Sequence, residues 1–161
     1  MQTARWFLVA AALAAAPALA HAQQAREGAH FGVQANYGND SKFGVGGRVR
    51  YGLQGMFPAA PLSGIASVDV YFPGSGITWV DLNYNVVYNF RIASAPKIGP
   101  YAGAGLNFAY ATGNGGHSSR LGVNFLGGMD FRGTGTVTPF VELKASVGDA
   151  GQLVVTGGVR F

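Results

Sequence analysis

Leu153-Val154-Val155-Thr156-Gly157-Gly158-Val159-Arg160-Phe161 closes the chain. Leu153, Val155, Val159 and Phe161 share one parity, with Gly157 between them. Thr156, Gly158 and Arg160 share the other, with Val154 as the exception. Period-two alternation marks a strand lying between two different environments. The stretch finishes on an aromatic side chain, on its apolar face. A soluble protein has little reason to leave such an edge open. A strand that closes a barrel in a membrane does, because its partner is the first strand and its outer face meets hydrocarbon.

Seven more segments with the same period precede it: Ala29–Tyr37, Phe43–Leu53, Ile65–Phe72, Val80–Phe90, Pro100–Tyr110, Leu121–Phe131 and Val137–Val147. The fourth is the clearest. Val80, Leu82, Tyr84, Val86, Tyr88 and Phe90 alternate with Asp81, Asn83, Asn85 and Asn89, and only Val87 breaks the pattern. Turn residues separate the segments, at Asn39-Asp40-Ser41, Pro73-Gly74-Ser75-Gly76 and Asp149-Ala150-Gly151. Longer connections are expected over Gln54–Gly64, Arg91–Gly99 and the glycine-rich stretch Ala111–Arg120. Ten residues at about 3.3 Å each, tilted near 40°, rise roughly 25 Å, the height of the apolar band of a membrane barrel. An even number of strands puts both termini on one side, expected to be the periplasm.

Composition agrees with this class. Of 161 residues 48% are hydrophobic and only 11% charged, too few charges for an ordinary solvated surface. Cysteine is absent, which excludes disulfide frameworks and thiolate metal sites. The net charge of +4 is scattered, with no basic run, so nucleic acid is not an expected partner. Residues 1–22 read as a cleavable signal peptide: Arg5, then an alanine-rich apolar run, then small residues allowing cleavage after Ala20 or Ala22. Residues 23–161 would then form one barrel domain.

Periodicity alone does not say which face points inward. The polar face decides it. On a solvated strand that face would be rich in Lys and Glu; here it is mostly Gly, Asn, Ser and Thr. Glycine on a strand gives up packing, which makes sense where long side chains reach across a narrow lumen. The charges within strands share that face: Arg48, Arg50, Lys144 and Arg160 with Asp69, Asp81, Asp130 and Glu142. Four cations and four anions suggest a buried structural ion-pair network. Aromatic residues on the apolar face gather near the segment ends. Tyr37, Phe43, Phe72, Phe108 and Tyr110 are expected at one rim, and Phe31, Tyr51, Tyr88, Phe90, Phe131 and Phe161 at the other, as two interfacial girdles.

The signal segment, the eight strands and the terminal Phe161 together resemble the small outer-membrane barrels: the OmpA transmembrane domain, OmpX and the opacity proteins. Pro100-Tyr101-Ala102-Gly103-Ala104-Gly105-Leu106 is similar to strands of that group. The resemblance covers Gly28 to Phe161. It implies an all-β, eight-stranded antiparallel up-and-down transmembrane barrel in a bacterial outer membrane, reached by Sec-type export. It also implies Phe161 as part of the signal read by the barrel assembly machinery. Outer-membrane lipid is the other expected partner, and a monomer the expected state. The turns are short, unlike the long loops of adhesive members.

No enzyme signature stands out. His117-Ser118-Ser119 invites a nucleophile reading, since His activates Ser, but it is expected in a flexible loop with no acidic residue nearby to orient it. The serine, histidine and glutamate motif of outer-membrane lipid A deacylases is not found. His30, on the polar face, reads as a lumen histidine. Neither Gly103-Ala104-Gly105 nor Gly113-Asn114-Gly115-Gly116 opens a helix, so phosphate cradling is not supported. No cofactor and no metal site is expected. The leading reading is a non-catalytic envelope-integrity or surface-contact protein. The alternatives are a narrow porin-like conduit, suggested by the glycine-lined lumen, and, third, a lipid-modifying enzyme.

Overall fold

A computed structural model describes residues 28–161, apart from 75, 114, 115 and 150. The expected signal peptide lies outside the described residues.

Eight strands follow in chain order: β1 (His30–Gly38), β2 (Lys42–Gly52), β3 (Leu62–Gly74), β4 (Ile77–Asn89), β5 (Ile98–Gly113), β6 (Gly116–Phe131), β7 (Thr138–Gly148) and β8 (Gln152–Arg160). Each pairs antiparallel with the next, and β8 returns to β1, so the sheet closes. The seam runs from Gly32↔Arg160 to Gly38↔Val154. Both its ends are tied. The Phe161 N–H donates to the Phe31 carbonyl at 2.8 Å, and Asn39 and Leu153 exchange two bonds at 3.0 and 2.8 Å. Closure removes the unpaired strand edges that hydrocarbon would not tolerate.

The alternation sorts the side chains as the polar-face argument requires. Val155, Leu143 and Leu82 are 56%, 50% and 47% exposed on the outer wall, whereas Arg48 and Glu142 are 5% and 6% exposed inside. A soluble barrel would show the reverse. On the wall, Tyr37, Phe43 and Phe72 stand near the hairpin end, and Phe90, Phe131 and Phe161 near the end that carries the termini. The outer wall is not free of aromatics between those rims: Phe125 and Tyr84 are also exposed there. Tyr84 meets the Tyr51 hydroxyl at 2.9 Å, so one phenol satisfies the other on a surface facing lipid.

Two expectations are corrected. The stretch Ala111–Arg120 is not a loop, because β5 and β6 run 16 residues each and pair through to Gly113↔Gly116. This hairpin stands taller than its neighbours and ends in polar Thr112, His117, Ser118 and Ser119. β3 begins at Leu62 rather than Ile65, so the connection before it is Leu53–Pro61. The longer connections all lie at the terminal end. At the hairpin end the turns are three residues or fewer, and Lys42 takes a left-handed φ of 58° to complete the first.

Candidate functional site

Among the described residues, polar chemistry is concentrated in the barrel interior. Its filling follows a rule of register: a large inward side chain sits across from an inward glycine on the neighbouring strand. Tyr71 pairs with Gly44, Tyr101 with Gly128 and Phe140 with Gly158. A Cβ built on Gly44 would meet the Tyr71 ring at 2.5 Å, one on Gly128 the Tyr101 ring at 2.5 Å, and one on Gly158 the Phe140 ring at 2.7 Å. The glycines are therefore seats for rings, the cross-strand aromatic rescue that sheets use to recover lost packing. Val87, the residue that broke the alternation in β4, lies opposite Gly103 and is fully buried. It joins Ile65, Tyr101 and Leu126 in a small apolar cluster inside the barrel. The glycines expected to line the lumen thus seat its own side chains.

All eight charged residues singled out in the sequence face inward and are at most 8% exposed. Ion pairs join five of them. Arg48 Nη2 is 2.9 Å from Glu142 Oε1, and Nη1 donates to Oε2 at 3.1 Å, a two-pronged contact. The Tyr101 hydroxyl donates to the same carboxylate at 2.9 Å. Arg50 Nη1 and Arg160 Nη2 lie 2.9 and 2.7 Å from the two oxygens of Asp130. Rings back both β2 arginines: Arg48 lies 4.2 Å over Phe140, and Arg50 lies 4.5 Å over Tyr101.

The other three charges are held differently. Asp69 accepts hydrogen bonds from Gln34 at 2.5 Å, Asn36 at 2.7 Å, Ser67 at 3.0 Å and Asn83 at 3.2 Å. Asp81 accepts from the Trp79 indole at 2.7 Å and from Gln152 at 3.3 Å. Lys144 donates to Asn83 at 2.9 Å, and no carboxylate lies within ion-pair distance of it among the described residues. Asp69 and Asp81 are direct cross-strand partners, an arrangement that repels unless other groups compensate. So the interior is not a single network of four matched pairs. It is an ion-paired cluster joined to an amide-rich one. Gln34 is the joint: its carbonyl accepts from Arg48 Nε while its amide donates to Asp69. Sequence reasoning missed Gln34, Asn36, Asn83, Asn124 and Tyr101. The available signal was their inward parity, the same as that of the charges.

The remaining candidates fall away from the lumen centre. His117 and Ser118 are adjacent on β6, so the two-residue period sends them to opposite faces, and they cannot form a dyad. His117 instead lies beside Tyr110, ring centres 6.3 Å apart. His30 is exposed at the terminal mouth rather than buried in the lumen, with Nδ1 3.3 Å from the Phe161 carbonyl. No group of three or more His, Cys, Asp or Glu with metal-holding geometry occurs among the described residues.

Comparison with solved structures finds the same architecture at low sequence identity. The N-terminal barrel domain of Pseudomonas aeruginosa OprF aligns with a TM-score of 0.63 and 17% identity, over 82% of this chain and 96% of that one. Neisserial surface protein A aligns at 0.57 and 18% identity, over 82% and 94%. A de novo designed transmembrane β-barrel aligns at 0.55 and 18% identity, over 84% and 95%. No curated protein sequence matches the chain. The family model described as outer membrane protein beta-barrel domain matches residues 7–147. With that match, the closed sheet and the inverted faces, the chain belongs to the outer-membrane β-barrel family, as a small eight-stranded member.

Proposed function

We propose that this protein is a non-catalytic component of the outer membrane that contributes to envelope integrity or short-range surface contact. The carrying observation is the cross-strand filling of the lumen. Tyr71, Tyr101 and Phe140 lie over glycines, and the Arg48–Glu142 and Arg50–Asp130–Arg160 contacts tie opposite walls together. Such an interior resists deformation and leaves little room for a solute, as expected for eight strands. Surface contact would run through the tall β5–β6 hairpin, whose strands are the longest of the barrel. The chain would reach the membrane by Sec-type export, insert as a monomer, and present Phe161 to the assembly machinery from its rim position.

Two measurements test this. Reconstitution in planar bilayers should give no sustained discrete openings, and regular unitary currents would replace this reading with the conduit. Deletion of the protein should sensitise cells to detergent with chelator. Release of an acyl chain from labelled lipopolysaccharide by the purified protein would reinstate the enzyme reading.

A further inference from the structure

Charge is distributed unevenly along the barrel axis. Toward the terminal end lie six cations, Arg48, Arg50, Arg91, Lys97, Arg132 and Arg160, against two anions, Asp130 and Glu142. Toward the hairpin end Lys42, Arg120 and Lys144 are outnumbered by Asp40, Asp69, Asp81 and Asp149. Among the described residues the side chains of the terminal half therefore carry a surplus of four positive charges. A cavity of about 250 Å³ opens there, lined in part by His30, Arg50, Gln54, Ser63 and Arg160.

The pairing inside that mouth is incomplete. Asp130 is shared by two guanidiniums, so one positive charge stays uncompensated. Arg50 is well satisfied, bonding Asp130 at 2.9 Å and the Asn89 carbonyl oxygen as well. Arg160 is not. Its Nη2 is 2.7 Å from Asp130 Oδ1, yet that oxygen receives no aligned hydrogen bond, and Arg160 Nε is buried with no protein partner. A guanidinium carries five N–H donors in a planar fork suited to oxyanions. Here one fork, 8% exposed, lines a cavity beside a hydroxyl, an amide and an imidazole. At roughly 30 Å³ per water-sized group, the cavity has room for a tetrahedral oxyanion with some of its hydration.

We infer that the terminal mouth of the barrel is a phosphate-binding site. Arg160 and Arg50 supply the charge, and His30, Ser63 and Gln54 line the rest of the cavity with hydrogen-bonding groups. Arg91, Lys97 and Arg132 contribute the surrounding field. Arg132 is tied to Lys97 by a backbone bond of 2.8 Å, which holds those two cations together on the rim. The phosphate is either free or carried by a phospholipid headgroup of the adjacent leaflet. The inference needs only the fold and does not depend on the proposed envelope role.

The test uses the full chain, folded in an amine-oxide detergent that contains no phosphate. Inorganic phosphate is titrated at constant ionic strength against chloride, with calorimetry and the thermal unfolding midpoint as readouts. A second arm adds short-chain phosphatidylglycerol, with short-chain phosphatidylcholine as its control. Saturable binding of either probe, with a raised midpoint, is expected. R160Q should weaken it about tenfold or more, the weight of a charge-assisted hydrogen bond. Should R160Q not fold, H30A at the exposed mouth should still weaken binding severalfold, while K42Q at the opposite end leaves it unchanged. Binding of inorganic phosphate identifies a free-anion site, and selective binding of phosphatidylglycerol identifies a headgroup site. The inference is overturned if neither probe binds above its control, or if H30A and every folded arginine variant bind like the parent.

Discussion

The two halves of the lumen solve the same problem with different chemistry. Toward the termini, buried charge is met by opposite charge, as in Arg48–Glu142 and Arg50–Asp130–Arg160. Toward the hairpins, two carboxylates stand on neighbouring strands and are met almost entirely by neutral donors. Asp69 alone takes four hydrogen bonds, from two amides, a hydroxyl and the amide of Gln34. Taking a charge out of water costs several kcal/mol, and either an ion or a ring of dipoles can offset it. Asp69 is held by dipoles with no cation paired to it, whereas Arg160 Nε stays without a hydrogen bond although its guanidinium lies against Asp130.

That contrast yields a ranking of substitutions, read as unfolding free energies in detergent or as folding yields into bilayers. Asp130→Ala should be the most damaging, because it strands two guanidiniums at once. We expect a loss above about 4 kcal/mol or failure to fold, and a folded variant of near-parental stability would contradict the ion-paired account. Glu142→Ala strands Arg48 and deprives Tyr101, with an expected loss of about 3–5 kcal/mol. Lys42→Ala, on an exposed turn residue bonded only to the Asn39 carbonyl at 2.5 Å, should stay within about 0.5 kcal/mol, so equal melting of these two variants would be decisive against us.

The amide-rich half makes a sharper distinction between two chemically identical changes. Asp69→Asn places an NH₂ group among four donors and should cost about 1–3 kcal/mol. Asp81→Asn meets only two donors and relieves the cross-strand repulsion with Asp69, so its cost should be under about 1 kcal/mol. Reversal of that order in urea titrations would show that the carboxylates are not held by dipoles. The smallest contrast concerns the glycines. Gly128→Ala drives a methyl into the Tyr101 ring and the Val141 carbonyl and should cost about 1–3 kcal/mol. Gly157→Ala, on the outer wall with nothing within 4 Å of a new Cβ, should be neutral or slightly stabilising.

Much of the fold was legible because a strand repeats every two residues. The parity of Val155, Leu143 and Leu82 against Arg48 and Glu142 needed no coordinates, since lipid and a narrow lumen demand opposite side chains on opposite faces. Legibility failed where that signal faded. Small polar residues at Thr112 and Ser118 read as a loop because the sheet there extends past the hydrocarbon band and no longer needs greasy side chains outside. Val87 and Val154 looked like errors in the pattern, yet each is a buried plug inside the lumen.

The sequence by itself determined the strand count, the closed sheet and the direction of each face, because those follow from local period and from the solvent on either side. Only the tertiary structure decided who meets whom. Arg48 and Glu142 are 94 positions apart, and Arg50 reaches Asp130 across 80. Those meetings depend on strand register and on the curvature of the closed wall, and neither is written in any single segment. The same curvature turned Gly44, Gly128 and Gly158 from gaps in a pattern into the surfaces on which the rings rest.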